Sequence, residues 1–442
     1  MRRERLVLNV HFIHSGTYSS AWRSPEAQPT DFFDIKHYIR GAKIAERGGF
    51  DSFFLADVPA LIDQPNRRPS YALEPTIALT AIAAATENIG LIGTLSTSYN
   101  SPYNVARRLA SLDHISNGRC GWNIVTTSKS EASRNFGLSV AAAHSERYSR
   151  AHEFTEVVLA LCASWEPDAL VGNKETADFV DLTKVLPINH SGPHFTVDGP
   201  LNLPRSPQGH PVLVQAGGSK DGIELAARFA EVVYSVSHTL EDALQFSARV
   251  DEALVRHGRQ PGDVTICPGL VTILGSTEEE ARRREDELWS LVPLDYGLQR
   301  IADQIGIPVS DLDLDKPLPD GLTLPVDGNQ TFFNAATQTA RRGNLTAREL
   351  IRVQGGGTLS PIVIGTPERL ADRMEEWFRT GAIGGFNVMP DVLPSGLEDF
   401  VDEVVPLLQR KGIFRNAYEA GTFRDRLRAG RARCTAAADQ GA

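Results

Sequence analysis

Residues 89–126 read IGLIGTLSTSYNSPYNVARRLASLDHISNGRCGWNIVT. Ile89–Ser96 is a short apolar run of strand length, followed by a cluster of small polar residues. Pro102–Ser116 reads as a helix, stopped by Asn117-Gly118, and Cys120–Thr126 is a second apolar run. A strand, a helix and a strand in so short a span describe a parallel βα unit.

The same alternation continues in both directions. Upstream, Leu6–Ile13 and Phe50–Ala56 read as strands. Between them Asp31–Gly49 is helical, with Ile35, Tyr38, Ile39, Ala42 and Ala45 at helical spacing and Gly48-Gly49 as its stop. Glu74–Glu87 is an Ala-rich helix that tolerates Pro75 in its first turn. Downstream, a long helix covers about His144–Trp165, and strands follow at Pro211–Gln215, Val232–Val236, Val264–Leu274 and Phe386–Met389. Helices near Gly222–Ala230, up to about His257, at Thr277–Leu291, at Thr366–Arg379 and at Leu397–Arg410 separate or follow them. Eight strands alternating with helices predict a (β/α)8 barrel, an α/β fold of the TIM type. An open doubly wound sheet is the alternative; no G-x-G-x-x-G follows the first strand, which weakens it.

Two interruptions break the pattern. Residues 167–210 hold two short alternating runs among Gly and Pro, read as an inserted hairpin. Residues 292–360 are rich in Pro, Asp and Gly, with a helical piece near Phe332–Arg342. A loop of this length is a lid or a dimer-packing arm. The expected organisation is one barrel over residues 1–415 with these insertions, and a tail over 416–442 that frays or packs on a neighbouring subunit.

Composition narrows the function. The 442 residues carry 41% hydrophobic and 23% charged side chains, enough for a large core. A net charge of −10 with no long basic run argues against a nucleic-acid partner. Cys120, Cys162, Cys267 and Cys434 form no C-x-x-C pair, so neither a zinc site nor a disulfide framework is expected. No run approaches the ~18 apolar residues of a membrane span, and the N-terminus lacks the pattern of a signal peptide. The expected location is cytoplasmic.

Barrel enzymes work at the C-terminal ends of their strands. Asp57 follows strand two, Thr94 and Ser96 close strand three, Asn123 and Thr126 close strand four, and Gln215-Ala-Gly-Gly-Ser219 follows strand five. Gly217 and Gly218 let a ligand approach the backbone, and a helix starts just beyond them, an arrangement that favours a phosphate. The same turn is equally a plain strand-to-helix connection with Ser219 as cap, and common barrel phosphate sites follow strands seven and eight instead. His144, Arg147 and Tyr148 share one face of the long helix's first turn and suit an anion or a polar ring; a solvated first turn is the other reading. His11 and His14, and His190 and His194, lack the further ligands a metal site needs, so no metal is expected. No G-x-S-x-G elbow and no P-loop occur.

Several runs carry a resemblance. Tyr99–Arg107, Leu112–Arg119, Gly121–Thr126, Leu203–Pro211, Val214–Gly217, Leu345–Leu350, and Asp399–Asp402 with Gly412–Arg415 are similar to the nitrilotriacetate monooxygenase group of the bacterial-luciferase-like superfamily. The likeness spans about residues 6–425, and the tail after Arg426 departs from it. It implies a barrel that binds reduced FMN delivered by a separate NAD(P)H:flavin reductase. O2 as co-substrate, held as a flavin C4a-(hydro)peroxide, then oxidises a small organic substrate. Carried over by motif, flavin contacts fall on Asp57, Thr94, His144, Tyr148 and Ser219. Ser219, Tyr148 and Arg147 would hold the phosphate, and Asp57, Thr94 and Asn123 would line the ring system, with Gly217 and Gly218 beside them. A homodimer or homotetramer is implied as well. An F420-dependent oxidoreductase of the same superfamily and a non-catalytic flavin-binding protein are the alternatives.

Substrate contacts are expected from the first two loops: His14, Ser15, Tyr18, Trp22 and Arg23, then Arg67, Arg68 and Tyr71. His11 or His14 would serve as acid, base or hydrogen-bond donor. Arginines suit a carboxylate, sulfonate or sulfone, although Arg67-Arg68 also reads as a solvated turn.

Overall fold

In the computed structural model, which describes residues 3–62, 64–70, 72–324, 330–356 and 360–430, eight parallel strands close on themselves. They are β1 (Val7–His11), β2 (Ser52–Leu55), β3 (Gly90–Ser96), β4 (Cys120–Val125), β5 (Val212–Ala216), β6 (Val232–Ser235), β7 (Thr265–Leu274) and β8 (Gly385–Pro390). Each pairs with the next, and β8 pairs with β1 through Val7↔Gly385 to Val10↔Val388, which closes the ring. The α/β barrel expected from the alternation is the fold. Tyr71, Cys434 and the rest of the chain end lie outside the described residues.

The strands are buried on both faces, and their period of two sorts the residues. Leu8 and Val10 of β1, and Leu91 and Leu95 of β3, pack with the surrounding helices. Phe54, Ile92, Val214, Val232, Tyr234 and Cys267 form a separate cluster that fills the barrel. Asn9 and His11, Ile92 and Thr94, Gly121 and Asn123 therefore fall on the interior face of their strands, the later residue of each pair nearer the C-terminal rim.

The opposite end is sealed by part of the tail expected to fray or to pack on a neighbouring subunit. Phe423–Ala429 is a helix with a complete capping box at Thr422 and Asp425, and Phe423 is fully buried in the interior cluster. A Cβ on Gly90 would lie 2.7 Å from the Phe423 ring and 2.8 Å from the Asp51 carbonyl oxygen, so only glycine admits this plug.

The insertions hold more structure than their composition announced. Residues 167–210 contain two hairpins, Leu170–Asn173 with Asp178–Val180 and His190–Ser191 with Thr196–Val197. The first is exposed along its length, so no inward–outward alternation marks it. The second interruption contains helices Leu294–Ile305, Gln330–Gly343 and Ala347–Val353, which build a core of their own around Ile301, Ala336 and Leu350 that also takes in Tyr18. An extra strand, Ile362–Gly365, pairs with the last residues of the long β7. The final barrel helix widens to a π-turn at Phe400–Val404 just before Pro406, whose ring and missing N–H do not fit a regular α turn. No helix among the described residues is long and apolar enough to cross a membrane.

Candidate active site

The interior residues that reach the C-terminal rim surround a cavity of about 400 Å³. His11, His14, Asp57, Thr94, Asn123, Gly217 and Gly218 all line it. Thr94 and Asn123 are register partners on β3 and β4, and the Asn123 amide donates to Thr94 Oγ1 at 2.9 Å. That bond fixes the Asn123 head group and leaves its Oδ1 buried with no partner among the described residues. The floor is aromatic: the His11 ring lies 4.8 Å from that of Phe54, which lies 4.8 Å from that of Tyr234.

Burial sets the ionisation of this wall. The His11 imidazole is pushed down to about 3 by desolvation and then by the Arg68 charge. His14 is held well below its usual range by burial, by Arg68 and by the other imidazoles. Both rings are therefore neutral near pH 7, each able to donate and accept one hydrogen bond. His14 sits in a left-handed turn (φ 39°), and its carbonyl accepts from His37 Nε2 at 2.7 Å, which anchors the turn. Burial, and then the nearby Glu74, raises Asp57 to about 6.

A polar corner adjoins the cavity beyond Gly217 and Gly218. Ser219 caps the helix Lys220–Phe229, its Oγ accepting from the Gly222 N–H at 3.1 Å. The Tyr148 hydroxyl is 3.5 Å from the same Oγ. His144 packs on Tyr148 with ring centroids 4.8 Å apart and meets Asp221 at 3.0 Å. A Cβ on Gly222 would lie 3.1 Å from Ser219 Oγ and 3.2 Å from the Tyr148 hydroxyl, so the residue stays small where two side-chain hydroxyls and a helix N-terminus converge. Arg147 shares this turn, but its guanidinium is buried and donates to the Ala142 carbonyl at 2.5 Å.

The other proposed contacts divide. Tyr18 is buried and donates to Glu285 at 3.1 Å, a structural bond. Ser15 is buried, and its carbonyl accepts from Leu393 N at 2.7 Å. Trp22 donates to the Arg67 carbonyl at 3.1 Å, Arg23 to the Leu291 carbonyl, and Arg67 pairs with Asp295, so these three tie the first two loops to the second insertion or to each other. Arg68 alone of the pair lines the cavity. His190 binds Glu153 at 2.9 Å and His194 binds Ser149 at 3.0 Å, both outside the site.

Reading the sequence missed the far wall: Tyr234 and Ser235 at the end of β6, Gly269 in β7, and Asn387 and Met389 at the end of β8. The strand-end rule that finds Thr94 and Asn123 finds these too once it is carried past strand five. Arg300 and Phe332 reach the cavity from the insertion and have no such signal.

A model of the family "Luciferase-like monooxygenase" matches residues 9–383. The chain belongs to that family. N-acetyl-S-(2-succino)cysteine monooxygenase of Bacillus subtilis (strain 168) is 41% identical, with 96% of each chain covered. Nitrilotriacetate monooxygenase component A of Aminobacter aminovorans is 42% identical, again with 96% of each covered. The solved EDTA monooxygenase of Chelativorans sp. BNC1 is 36% identical, with a TM-score of 0.83 over 96% of this chain and 98% of that one. The chain is thus a monooxygenase. F420-dependent enzymes match only at 14–15% identity, which is a likeness of fold alone.

The family runs that first carried the resemblance are largely scaffold. Buried Arg119 donates to the carbonyls of Ala83, Thr86, Ile89 and Ser116. The Asp113 carboxylate accepts from Cys120 N at 3.2 Å and from the Gln208 side chain at 2.6 Å, joining the Leu112 run to the Leu203 run.

Proposed function

We propose that this chain is the oxygenase component of a two-component system: it takes reduced FMN from a separate NAD(P)H:flavin reductase and transfers one atom of O2 to a small organic substrate. The observation that carries the reading is the union of an apolar-floored cavity with a hydroxyl-lined helix N-terminus. A flat ring system fits the first and a phosphate fits the second. Orphaned buried atoms support the fit: Asn123 Oδ1, His11 Nε2 and Gln215 Oε1 have no partners among the described residues. Buried polar groups without partners cost about 1–3 kcal/mol each, which a ligand relieves. The name "component A" of one relative fits a separate reductase.

Reduced flavin, when bound, supplies the electrons that activate oxygen. The rest falls to the protein. Ser219, Tyr148 and the Gly217-Gly218 backbone would fix the phosphate, with His144 packed behind. Thr94, Asn123 and Asp57 would orient the ring edge. His11 and His14 would present neutral imidazoles to the reacting face, where an imidazolium is disfavoured. Phe332 and Arg300 would close the mouth and limit water. We place the system in the cytoplasm, where NAD(P)H is available, as a homodimer or homotetramer.

The test supplies reduced FMN from a generic flavin reductase and follows oxygen uptake, peroxide release and product mass across candidate substrates. A substrate that replaces released peroxide with an oxygenated product supports the reading. Tight binding of oxidised FMN without any such substrate would favour a storage protein and end it.

A further inference from the structure

Arg67 and Arg68 are chain neighbours with opposite surroundings. Arg67 is exposed and ion-paired to Asp295 of the insertion. Arg68 is half-buried in the cavity wall, and its guanidinium has no ion pair or hydrogen bond among the described residues. A cation that lines a partly enclosed, aromatic-floored cavity and has no counter-charge there is placed to receive an anion that enters. Its surroundings do not neutralise it. His11 and His14 feel its charge and stay neutral, and Asp57, the acidic member of the lining, does not pair with it.

Position separates this charge from the phosphate corner. Arg68 follows β2, whereas Gly217-Gly218-Ser219 follow β5 across the ring of strands. The cavity therefore has two anion-seeking ends, and one flavin phosphate serves only one of them. A second guanidinium, that of Arg300, lines the same cavity from the insertion.

We infer that Arg68 is the residue that selects the substrate, by binding a carboxylate of a small carboxylic acid in the part of the cavity between the β1 and β2 loops. This deepens the flavin-monooxygenase reading and rests on it. A planar guanidinium takes a carboxylate bidentately, whereas a neutral sulfide or alkane would leave the charge unpaired.

The experiment titrates nitrilotriacetate, citrate and succinate, with dibenzothiophene sulfone as neutral probe, into the full-length chain by calorimetry, with and without FMN. Wild type is compared with Arg68→Met, Arg68→Lys and, as a control, Arg67→Met. FMN affinity is measured separately by flavin fluorescence. The expected result is binding of at least one carboxylate, weakened about 10- to 100-fold in Arg68→Met and partly restored in Arg68→Lys. Arg67→Met binds that carboxylate like wild type, and FMN affinity in Arg68→Met stays within about 3-fold, the spread of a contact not made. The inference is overturned if no carboxylate binds, if Arg68→Met binds it as tightly, if the sulfone binds better than every carboxylate, or if Arg68→Met loses FMN instead. Failure of wild type to bind FMN, with carboxylate binding still dependent on Arg68, would sink the flavin reading, and with it Arg68's role in selecting an oxygenation substrate, and leave only a carboxylate site at Arg68.

Discussion

At the N-terminal end of the barrel, Asp51 and Arg415 meet as a buried ion pair, and the second Asp51 oxygen accepts from Leu8 N at 2.9 Å. At the C-terminal end, Asp57 and Arg68 line one cavity and do not pair. The first pair is scaffold: it locks the chain after the last barrel helix onto the start of β2. The second two charges are held by the fold in a state that favours a third party. The surroundings differ as well: Phe423 fills one end, whereas the other is an open cavity whose lining includes the unpartnered Asn123 Oδ1 and His11 Nε2. Unpartnered polar atoms that face an open cavity are explained by a ligand that enters it.

The largest expected effect breaks the closed end. Asp51→Ala strands Arg415 in the interior, and loss of one partner from a buried pair costs about 3–5 kcal/mol. The unfolding midpoint in urea should fall accordingly, while FMN affinity of the folded fraction stays as in wild type. A midpoint unchanged from wild type would show that this end is not the rigid one.

Next is the polar corner. Ser219→Ala with Tyr148→Phe removes two hydroxyls from the phosphate position, and FMN affinity should fall about 10- to 100-fold by fluorescence titration. Riboflavin, which lacks the phosphate, should bind both proteins alike. Equal FMN affinity in the double variant would move the phosphate elsewhere.

The two ends were unequally legible in the sequence. The barrel and the β1–β5 half of the site follow from local pattern, because a polar residue closing an apolar strand stands out: Thr94 in GLIGTLS and Asn123 in CGWNIV. Tyr234 and Met389 are partly or wholly apolar, so they blend into their strands, whereas Asn387 in GFNVMP stands out as Asn123 does and is found once the rule is carried past strand five. Phe423 is one aromatic in an Arg-rich stretch, and only the hollow beneath Gly90 and Gly121 tells it where to go. Arg300 and Phe332 depend on how the insertion folds against Tyr18, a tertiary matter no window of sequence contains. Arg67 and Arg68 are the sharpest case, since identical neighbours differ only in what the insertion brings to each.

A third prediction uses pH. The folded-state pKa of Asp57 is raised to about 6, so the native chain holds this proton more tightly than the unfolded chain does. Stability is therefore lost as pH climbs from about 4 through about 6, and the loss is complete above that. Asp57→Asn removes the ionisable group. At pH 7–8 it should be more stable than wild type by about 1–2 kcal/mol, discounted for partial solvent screening, and the gain should vanish below about pH 4. A gain independent of pH would place its cause in packing rather than in the buried charge.

The smallest effect isolates Arg67. Its pair with Asp295 joins the β2 loop to the insertion, yet the two side chains are 44% and 59% exposed. Water and salt screen such a pair, and exposed pairs contribute about 0.2–1 kcal/mol. Arg67→Ala should shift the urea midpoint by no more than that amount, and the shift should shrink toward zero between about 0.05 and 1 M NaCl as the screening length shortens. The same salt series leaves the Asp51→Ala deficit nearly intact, because the pair at the closed end is shielded from solvent ions. If both deficits fell together with salt, the two ends would share one electrostatic environment, and the distinction between a pair that builds the barrel and charges that wait for a ligand would lose its physical basis.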